Sequence, residues 1–126
     1  MARILIAEDE EALCAMCARA LSSVGHEVKT ACDGSDALDA LKRESGRFDL
    51  LLTDIRMPIM DGIALSLAAA RDYPDLTILL MTGYADQRER AHGLDALIHD
   101  IIPKPFTLVG LRDAVNEALM VHARGH

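Results

Sequence analysis

The sequence predicts an α/β fold built on one parallel β-sheet, and three observations lead to that prediction. Short aliphatic runs alternate with longer segments whose apolar residues recur at helical spacing. Residues 50–52 are all leucine, as expected for a strand covered on both faces. No linker, repeat or low-complexity segment interrupts the 126 residues. Five βα units in so short a chain indicate a flavodoxin-like, doubly wound sheet with strand order 2-1-3-4-5 and helices on both faces.

The first half of the chain contains two of these units. Residues 4–7 form the first strand, and Gly25 is a signal for the end of the helix that follows. A second strand over 27–32 leads through Asp33-Gly34 into a second helix. Helical spacing predicts two buried faces, formed by Leu13, Met16, Cys17, Ala20, Leu21 and Val24 in the first helix and by Ala37, Leu38 and Leu41 in the second.

The third and fourth units follow the leucine strand. That strand ends at Asp54, and Asp61 is a natural N-cap for the third helix. The fourth strand spans 76–81, and the polar stretch 86–92 is expected to form a short fourth helix. Helical spacing predicts one buried face on the third helix, carrying Ile63, Leu67 and Ala70.

The fifth unit closes the predicted fold. Residues 101–102 form its strand, and Pro103 removes a backbone donor there, which sheets tolerate chiefly on an edge. The fifth strand is therefore predicted to lie outermost. Thr107 can cap the last helix, whose apolar face carries Leu108, Leu111, Val115 and Leu119.

Composition limits the classes of function. The length predicts one domain over residues 1–126, with its core at about 3–121. Thirteen Lys and Arg against twenty Asp and Glu give a formal charge of -7 with no basic run, which disfavours DNA binding. No apolar run approaches the ~20 residues of a membrane span, and no signal peptide is recognisable, so we expect a cytoplasmic protein without a membrane partner. Three cysteines cannot all pair within one chain, which excludes a disulfide framework.

Acidic residues are predicted to converge at the carboxyl ends of the central strands. In the order 2-1-3-4-5, the first and third strands are neighbours, and they end at Glu8-Asp9 and at Asp54. Three like charges in one pocket repel, so either one carboxyl is protonated or a hard cation holds them together. An oxygen-only ligand set favours Mg2+, which commonly keeps several waters and binds a substrate phosphate.

Two further side chains are predicted at the same rim. Thr82 ends the fourth strand, and Lys104 follows the fifth. A carboxylate beside Mg2+, a lysine and a hydroxyl can attack phosphorus and form an acyl phosphate. Asp54 is the best-placed nucleophile. Lys104 and the metal would offset charge on the phosphoryl oxygens, and Thr82 could donate a hydrogen bond to the product.

Combined, these motifs resemble the receiver domain of bacterial response regulators. The resemblance extends over residues 4–119 and rests on Glu8-Asp9, the run Asp54-Ile55-Arg56-Met57-Pro58-Ile59-Met60-Asp61-Gly62, Thr82-Gly83 and Lys104-Pro105-Phe106. It implies that Asp54 accepts a phosphoryl group from the phosphohistidine of a histidine kinase or histidine phosphotransfer protein. The domain would catalyse its own phosphorylation and dephosphorylation and would not be an enzyme acting on a separate substrate.

The resemblance also implies a metal site. Asp9 and Asp54 would bind Mg2+ directly. Glu8 stands where aspartate is also common in the family, and it would act through water. Arg56 would contribute its backbone carbonyl.

The resemblance further implies which groups respond to the phosphoryl group. Thr82 and Lys104 would contact its oxygens, with the Lys104–Pro105 bond in cis, a geometry that proline makes inexpensive. Many receivers have an aromatic switch residue three positions before this lysine, where the present chain has Ile101. Tyr84, two positions after Thr82, is the candidate substitute.

A subfamily and an output surface follow from the same resemblance. The chain is expected to be a stand-alone receiver that signals through protein contacts on its fourth helix, fifth strand and last helix. Segments 51–55 and 82–85 especially resemble CpdR-like single-domain receivers, which regulate proteolysis in the bacterial cell cycle.

Two other functions remain open at this point. Since Ile101 replaces the aromatic, the chain could be a constitutive interaction domain that is no longer switched. A phosphatase with an aspartyl nucleophile is disfavoured, because Asp54-Ile55-Arg56 lacks a second aspartate two residues on to act as acid and base.

Two local patterns are interpreted as structural. Cys14-Ala15-Met16-Cys17 has C-x-x-C spacing but starts inside a predicted helix, away from the N-terminal dipole that lowers a thiol pKa. We therefore expect Cys17 to be buried, Cys14 to be exposed, and neither to be a redox or zinc site. The charged cluster 86–90 is predicted to be a solvated helix face.

Overall fold

The computed structural model of the chain describes residues 2–83, 92–94 and 96–125, with only the backbone described at 92 and 122–125. It contains one parallel sheet in the order β2-β1-β3-β4-β5. The strands are β1 (Arg3–Ala7), β2 (Glu27–Ala31), β3 (Leu50–Asp54), β4 (Thr77–Thr82) and β5 (Asp100–Pro103). The helices are α1 (Glu11–Ser22), α2 (Gly34–Arg43), α3 (Gly62–Asp72) and the C-terminal helix (Leu108–Gly125), with a short 3-10 turn at His92–Leu94.

The predicted strand order is confirmed. β3 lies at the centre of the sheet, where it pairs with β1 on one side and β4 on the other, and all five of its residues are buried. β5 is an edge strand paired with β4, as Pro103 predicted. Because the pairing is parallel throughout, β1, β3, β4 and β5 deliver their carboxyl ends to the same edge of the sheet.

The sheet separates two aliphatic clusters. Leu51 belongs to the cluster on one face, together with Leu41 of α2 and Leu65 of α3. Leu52 belongs to the cluster on the other face, together with residues of α1 and Val115 of the C-terminal helix. Successive strand residues point to opposite faces, so a strand that is covered on both sides requires an uninterrupted leucine run.

The ends of the helices follow the predicted signals. The N–H of Ala64 donates to Asp61 Oδ1 at 2.9 Å, and the N–H of Gly110 donates to Thr107 Oγ1 at 2.9 Å, so both residues cap helices. Gly25 follows α1 with a φ of +99°, a conformation in which glycine avoids the penalty paid by other residues.

The buried face of α3 differs from the predicted one. Leu65, Ser66 and Ala69 are buried, whereas Leu67 exposes 48% of its surface and Ile63 is only half-buried. Ile63 and Ala70 pack against the core as predicted, and the prediction was wrong at Leu67. Because α3 is apolar along most of its length, hydrophobic spacing cannot select one face exactly.

The face predicted for α1 also needs correction. Cys17 is buried as predicted, but Met16 and Val24 expose 51% and 49% of their surfaces. Cys14 is half-buried and packs against the core, although it was predicted to be exposed. In the C-terminal helix, Leu108 is likewise exposed.

Several predictions fall outside the described residues. Tyr84, the charged cluster 86–90 and most of the helix predicted over 86–92 lie there. Within the described part of the chain, no helix is long and apolar enough to cross a bilayer.

Candidate functional site

Three carboxyl groups meet at the carboxyl edge of the sheet. Glu8 and Asp9 follow β1, and Asp54 is the last residue of β3. One carboxylate oxygen from each lies within 4.8 Å of those of the other two. Glu8 and Asp54 are buried, and Asp9 is exposed. The predicted convergence is therefore present, and an oxygen-only set of this size fits a hard divalent cation such as Mg2+.

Lys104 joins two of these carboxyl groups. Its Nζ lies 2.9 Å from Glu8 Oε1 and 3.0 Å from Asp54 Oδ2. The backbone holds the lysine in place, because its N–H donates to the carbonyl of Thr82 at 2.6 Å. The Lys104–Pro105 peptide bond is cis. The ammonium thus offsets part of the repulsion that the sequence predicted among the acids.

Backbone donors hold the remaining carboxylate oxygens. The N–H of Glu10 donates to Glu8 Oε2 at 3.1 Å, and the N–H of Ile55 donates to Asp54 Oδ1 at 2.9 Å. Both side chains are therefore oriented before any ligand arrives, which lowers the cost of binding one.

Burial and neighbouring charges oppose each other at Glu8 and at Lys104, and the pKa of each group is raised. Burial raises the pKa of Glu8 to about 7, although Lys104 and the N–H of Glu10 oppose the shift. Burial would lower the pKa of Lys104, but its hydrogen bonds to Glu8 and Asp54 outweigh burial and raise that pKa. Lys104 is therefore a fixed positive charge, and Glu8 titrates close to neutral pH.

Thr82 lies at the end of β4, next to the acidic group. Its hydroxyl is buried and has no hydrogen-bond partner among the described residues. In the pairing of β3 with β4, Asp54 lies opposite Met81. Thr82 is therefore one residue beyond the position opposite Asp54. Such a hydroxyl costs free energy until it finds a partner.

Ile101 lies one strand further along the sheet. It belongs to β5, pairs with Leu80 of β4, is half-buried and packs against the core cluster of Leu51. Tyr84, its candidate substitute as a switch residue, lies outside the described residues.

An open cavity of about 930 Å3 leads to the acids. Its lining includes Glu8, Asp9, Asp54 and Lys104, and also Arg56 and Gly83. Its other walls are mainly apolar, a feature that the sequence did not predict, and they are formed by Leu13, Met16, Met57, Pro58, Pro105, Phe106 and Leu108. The exposure of Met16 and Leu108 follows from this position, because both border the cavity. The one sign of these apolar walls in the sequence was the phenylalanine directly after Lys104-Pro105.

The loop from β3 to α3 forms one wall of the cavity and is held at both ends. The N–H of Gly62 donates to the carbonyl of Ile55 at 2.8 Å, and the N–H of Gly34 donates to the carbonyl of Met60 at 3.0 Å. A Cβ at Gly62 would lie 2.0 Å from the carbonyl oxygen of Asp54, so the approach requires glycine. Between the two ends, Ile59 adopts a φ of +68°.

The fold and the site together define a receiver domain of two-component signalling. The family model for the response regulator receiver domain matches residues 4–116, and the chain belongs to that family.

Curated relatives include longer proteins. Response regulator MprA of Mycobacterium avium (strain 104) is 40% identical over 106 residues, which is 84% of this chain and 46% of the relative. Sensor kinase CckA of Brucella abortus (strain 2308) is 36% identical over 119 residues, which is 94% of this chain and 12% of the relative. The chain thus spans less than half the length of either relative.

Solved structures match over nearly the whole chain. A CheY-like response regulator receiver domain protein from Methanospirillum hungatei JF-1 aligns with a TM-score of 0.90 at 29% identity, covering 100% of this chain and 99% of that one. Response regulator protein TrrA from Thermotoga maritima, in complex with Mg2+-BeF, aligns with a TM-score of 0.82 at 29% identity, covering 94% of this chain and 99% of that one.

Proposed function

We propose that Asp54 is the phosphoacceptor of a two-component phosphorelay and that phosphohistidine of a kinase or phosphotransfer protein is the donor. In this transfer an Asp54 carboxylate oxygen forms a bond to phosphorus. The P–N bond of the phosphohistidine breaks, and its electron pair returns to the imidazole. The observation that carries the proposal is the buried Asp54 carboxylate held 3.0 Å from Lys104 at the base of an open cavity.

Each neighbouring group has a role in the proposal. Lys104 stabilises negative charge on the phosphoryl oxygens, since its pKa keeps it protonated. Thr82 donates its hydroxyl to a phosphoryl oxygen, which would give that buried hydroxyl a partner. The domain would thereby catalyse its own phosphorylation and, with water as the attacking group, its own dephosphorylation.

Mg2+ is the proposed cofactor. Asp9 and Asp54 would hold it directly, Glu8 through water, and Arg56 through its backbone carbonyl. The cation would neutralise charge on the phosphoryl group and orient it. Support comes from the three clustered carboxylates here and from the Mg2+-BeF bound to the relative TrrA.

The proposed output is a change in protein contacts. By the family resemblance it would use the helix predicted over 86–92, β5 and the C-terminal helix, and a CpdR-like role in controlling proteolysis is the candidate pathway. Stand-alone action and a cytoplasmic location stay predictions from the sequence.

The first experiment is intact mass after incubation with acetyl phosphate and Mg2+. Wild type should gain the mass of one phosphoryl group, and Asp54→Asn should gain none. Asp39→Asn is the matched control, because Asp39 is an exposed acid on α2, and it should behave as wild type. Equal labelling of Asp54→Asn, or no labelling of a folded wild type, would refute the proposal.

A second candidate is an interaction domain that is not switched. It is motivated by Ile101, which packs into the core without an aromatic ring to report phosphorylation. Amide exchange of β5 and the C-terminal helix, with and without beryllofluoride, separates the two candidates. Unchanged exchange would favour the unswitched domain. Steady hydrolysis of a phosphomonoester, lost in Asp54→Asn, would instead support the disfavoured phosphatase.

A further inference from the structure

Ile59 lies at the tip of a strained turn. The N–H of Met60 donates to the carbonyl of Pro58 at 2.7 Å, which closes a three-residue γ-turn around Ile59. The φ of +68° makes it the rarer form of that turn, which is strained for residues other than glycine. A β-branched side chain is the least suited to this conformation. Its presence here therefore needs a reason other than local stability.

The surrounding loop gives Ile59 no freedom to relax. Met60 is held by the N–H of Gly34 and is half-buried against the core. Gly62 is held by the carbonyl of Ile55 and by its close approach to Asp54. A turn fixed at both ends presents its central side chain in one orientation, and strain maintained in this way is typical of functional sites.

The Ile59 side chain packs little against the rest of the protein. Ile59 exposes 85% of its surface, the largest exposed fraction among the large apolar residues of the described chain. Its two neighbours on the N-terminal side, Met57 and Pro58, line the cavity that leads to Asp54. Ile59 is therefore an exposed apolar group that directly follows two residues of the cavity wall in the chain.

We propose that Ile59 is an anchor for the phosphohistidine donor protein and inserts into an apolar depression beside the donor's histidine. This inference rests on the proposed function. A donor imidazole must come within bonding distance of the buried Asp54, so the protein that carries it has to cover the entrance formed in part by Met57 and Pro58. An apolar side chain on a backbone that is already held in place loses little conformational entropy on binding, which suits this role.

The chemistry of the entrance supports this occupant. The base of the cavity carries the acids and Lys104, whereas Met16 and Leu108 contribute exposed apolar surface to its other walls. The expected partner surface thus has a phosphoimidazole at its centre and apolar side chains around it. Ile59 would meet the part of that surface that faces the β3–α3 loop.

The test compares two kinds of phosphodonor on the same variants. Ile59→Gly removes the side chain and suits the backbone conformation, and Ile59→Asn keeps a side chain that tolerates positive φ. Val24→Gly is the matched control, because Val24 is an exposed β-branched residue in the turn that follows α1. The donors are acetyl phosphate and a panel of purified histidine kinases and phosphotransfer proteins carrying radiolabelled phosphohistidine.

We expect Ile59→Gly and Ile59→Asn to accept phosphate from acetyl phosphate at the wild-type rate. From the protein donor that is fastest for wild type, kcat/KM should fall by about thirtyfold in both variants, as for loss of a binding hot spot. Val24→Gly should match wild type with both donors.

Three outcomes would overturn the inference. Equal loss with acetyl phosphate would mean that Ile59 shapes the site rather than the docking surface. Unchanged transfer from the protein donor would show that Ile59 is not an anchor. A wild type that is labelled by acetyl phosphate but by no protein in the panel would also overturn the inference. Failure of acetyl phosphate to label wild type at all counts instead against the proposed function.

Discussion

Lys104 determines how the three acids can occupy one small site. From the sequence we predicted that either a proton or a metal ion relieves their repulsion. The structure adds a third means, because the Lys104 ammonium contacts both Glu8 and Asp54. Any incoming cation or phosphoryl group must therefore share Asp54 with Lys104, so removing this lysine would change both the resting site and the reaction.

At the same scale, Ile59→Gly should raise the free energy of unfolding by about 1 kcal/mol. Relief of left-handed strain is worth about 1–2 kcal/mol. The added freedom of glycine in the unfolded chain returns about 0.4–1 kcal/mol. Urea unfolding measures the difference. Val24→Gly, which relieves no positive φ, should destabilise instead. A less stable Ile59→Gly would mean that the turn is not strained.

The three thiols should differ sharply in reactivity. Burial raises the pKa of Cys17 to about 11, Cys14 is half-buried, and Cys32 is exposed. With Ellman's reagent at pH 8, folded protein should show one fast thiol, and Cys17 should react only after unfolding. Cys32→Ser should abolish the fast phase. Persistence of that phase in the variant would assign it to Cys14 and contradict the burial described here.

At the scale of elements, the β3–α3 loop depends on the lack of a side chain at Gly62. Gly62→Ala should cost at least about 2 kcal/mol of unfolding free energy, because the new Cβ would meet backbone atoms that cannot move aside. Gly93→Ala is the control, since a Cβ there meets nothing within 4 Å, and it should stay within about 0.5 kcal/mol of wild type. Thermal and urea unfolding compare the two, and equal effects would refute the close approach.

Elements also show what the sequence could and could not predict. The leucine run of β3 and the caps Asp61 and Thr107 were sufficient to place their elements, because burial on both faces and capping chemistry are local signals. The buried face of α3 was not fully predictable, since that helix carries apolar residues on every side. The γ-turn at Ile59 left no signal either, because a β-branched residue argues against positive φ. It is set by contacts to Gly34 and Gly62, which are tertiary.

At the scale of the whole molecule, stability should depend on the proton held by Glu8. The pKa of Glu8 is raised to about 7 from 4.5, so the folded chain binds a proton that the unfolded chain has already released. This contribution is fully present below the unfolded pKa and is lost as pH rises through 7. Without Mg2+, the free energy of unfolding should fall from pH 5 to pH 8 by on the order of 1–3 kcal/mol.

Urea unfolding in EDTA at several pH values measures this dependence. Glu8→Gln should flatten it, and Glu11→Gln, an exposed acid on α1, should leave it unchanged. Added Mg2+ should stabilise wild type more at pH 8 than at pH 5, because the cation binds the ionised acids. Stability that rises with pH in EDTA would contradict the burial of Glu8.

The strand order also has a consequence for how the chain is made. β1 pairs Ile4 with Leu50, and β3 in turn pairs Leu50 with Thr77, so no described strand pairs through a hairpin. Long loops must close before these contacts form, which predicts folding in milliseconds or slower. During synthesis, β2, β1 and β3 can assemble first, with the open edge of β3 waiting for β4 to leave the ribosome. A chain stalled at that point would offer β3, a strand that is buried along its whole length in the finished fold, to chaperones.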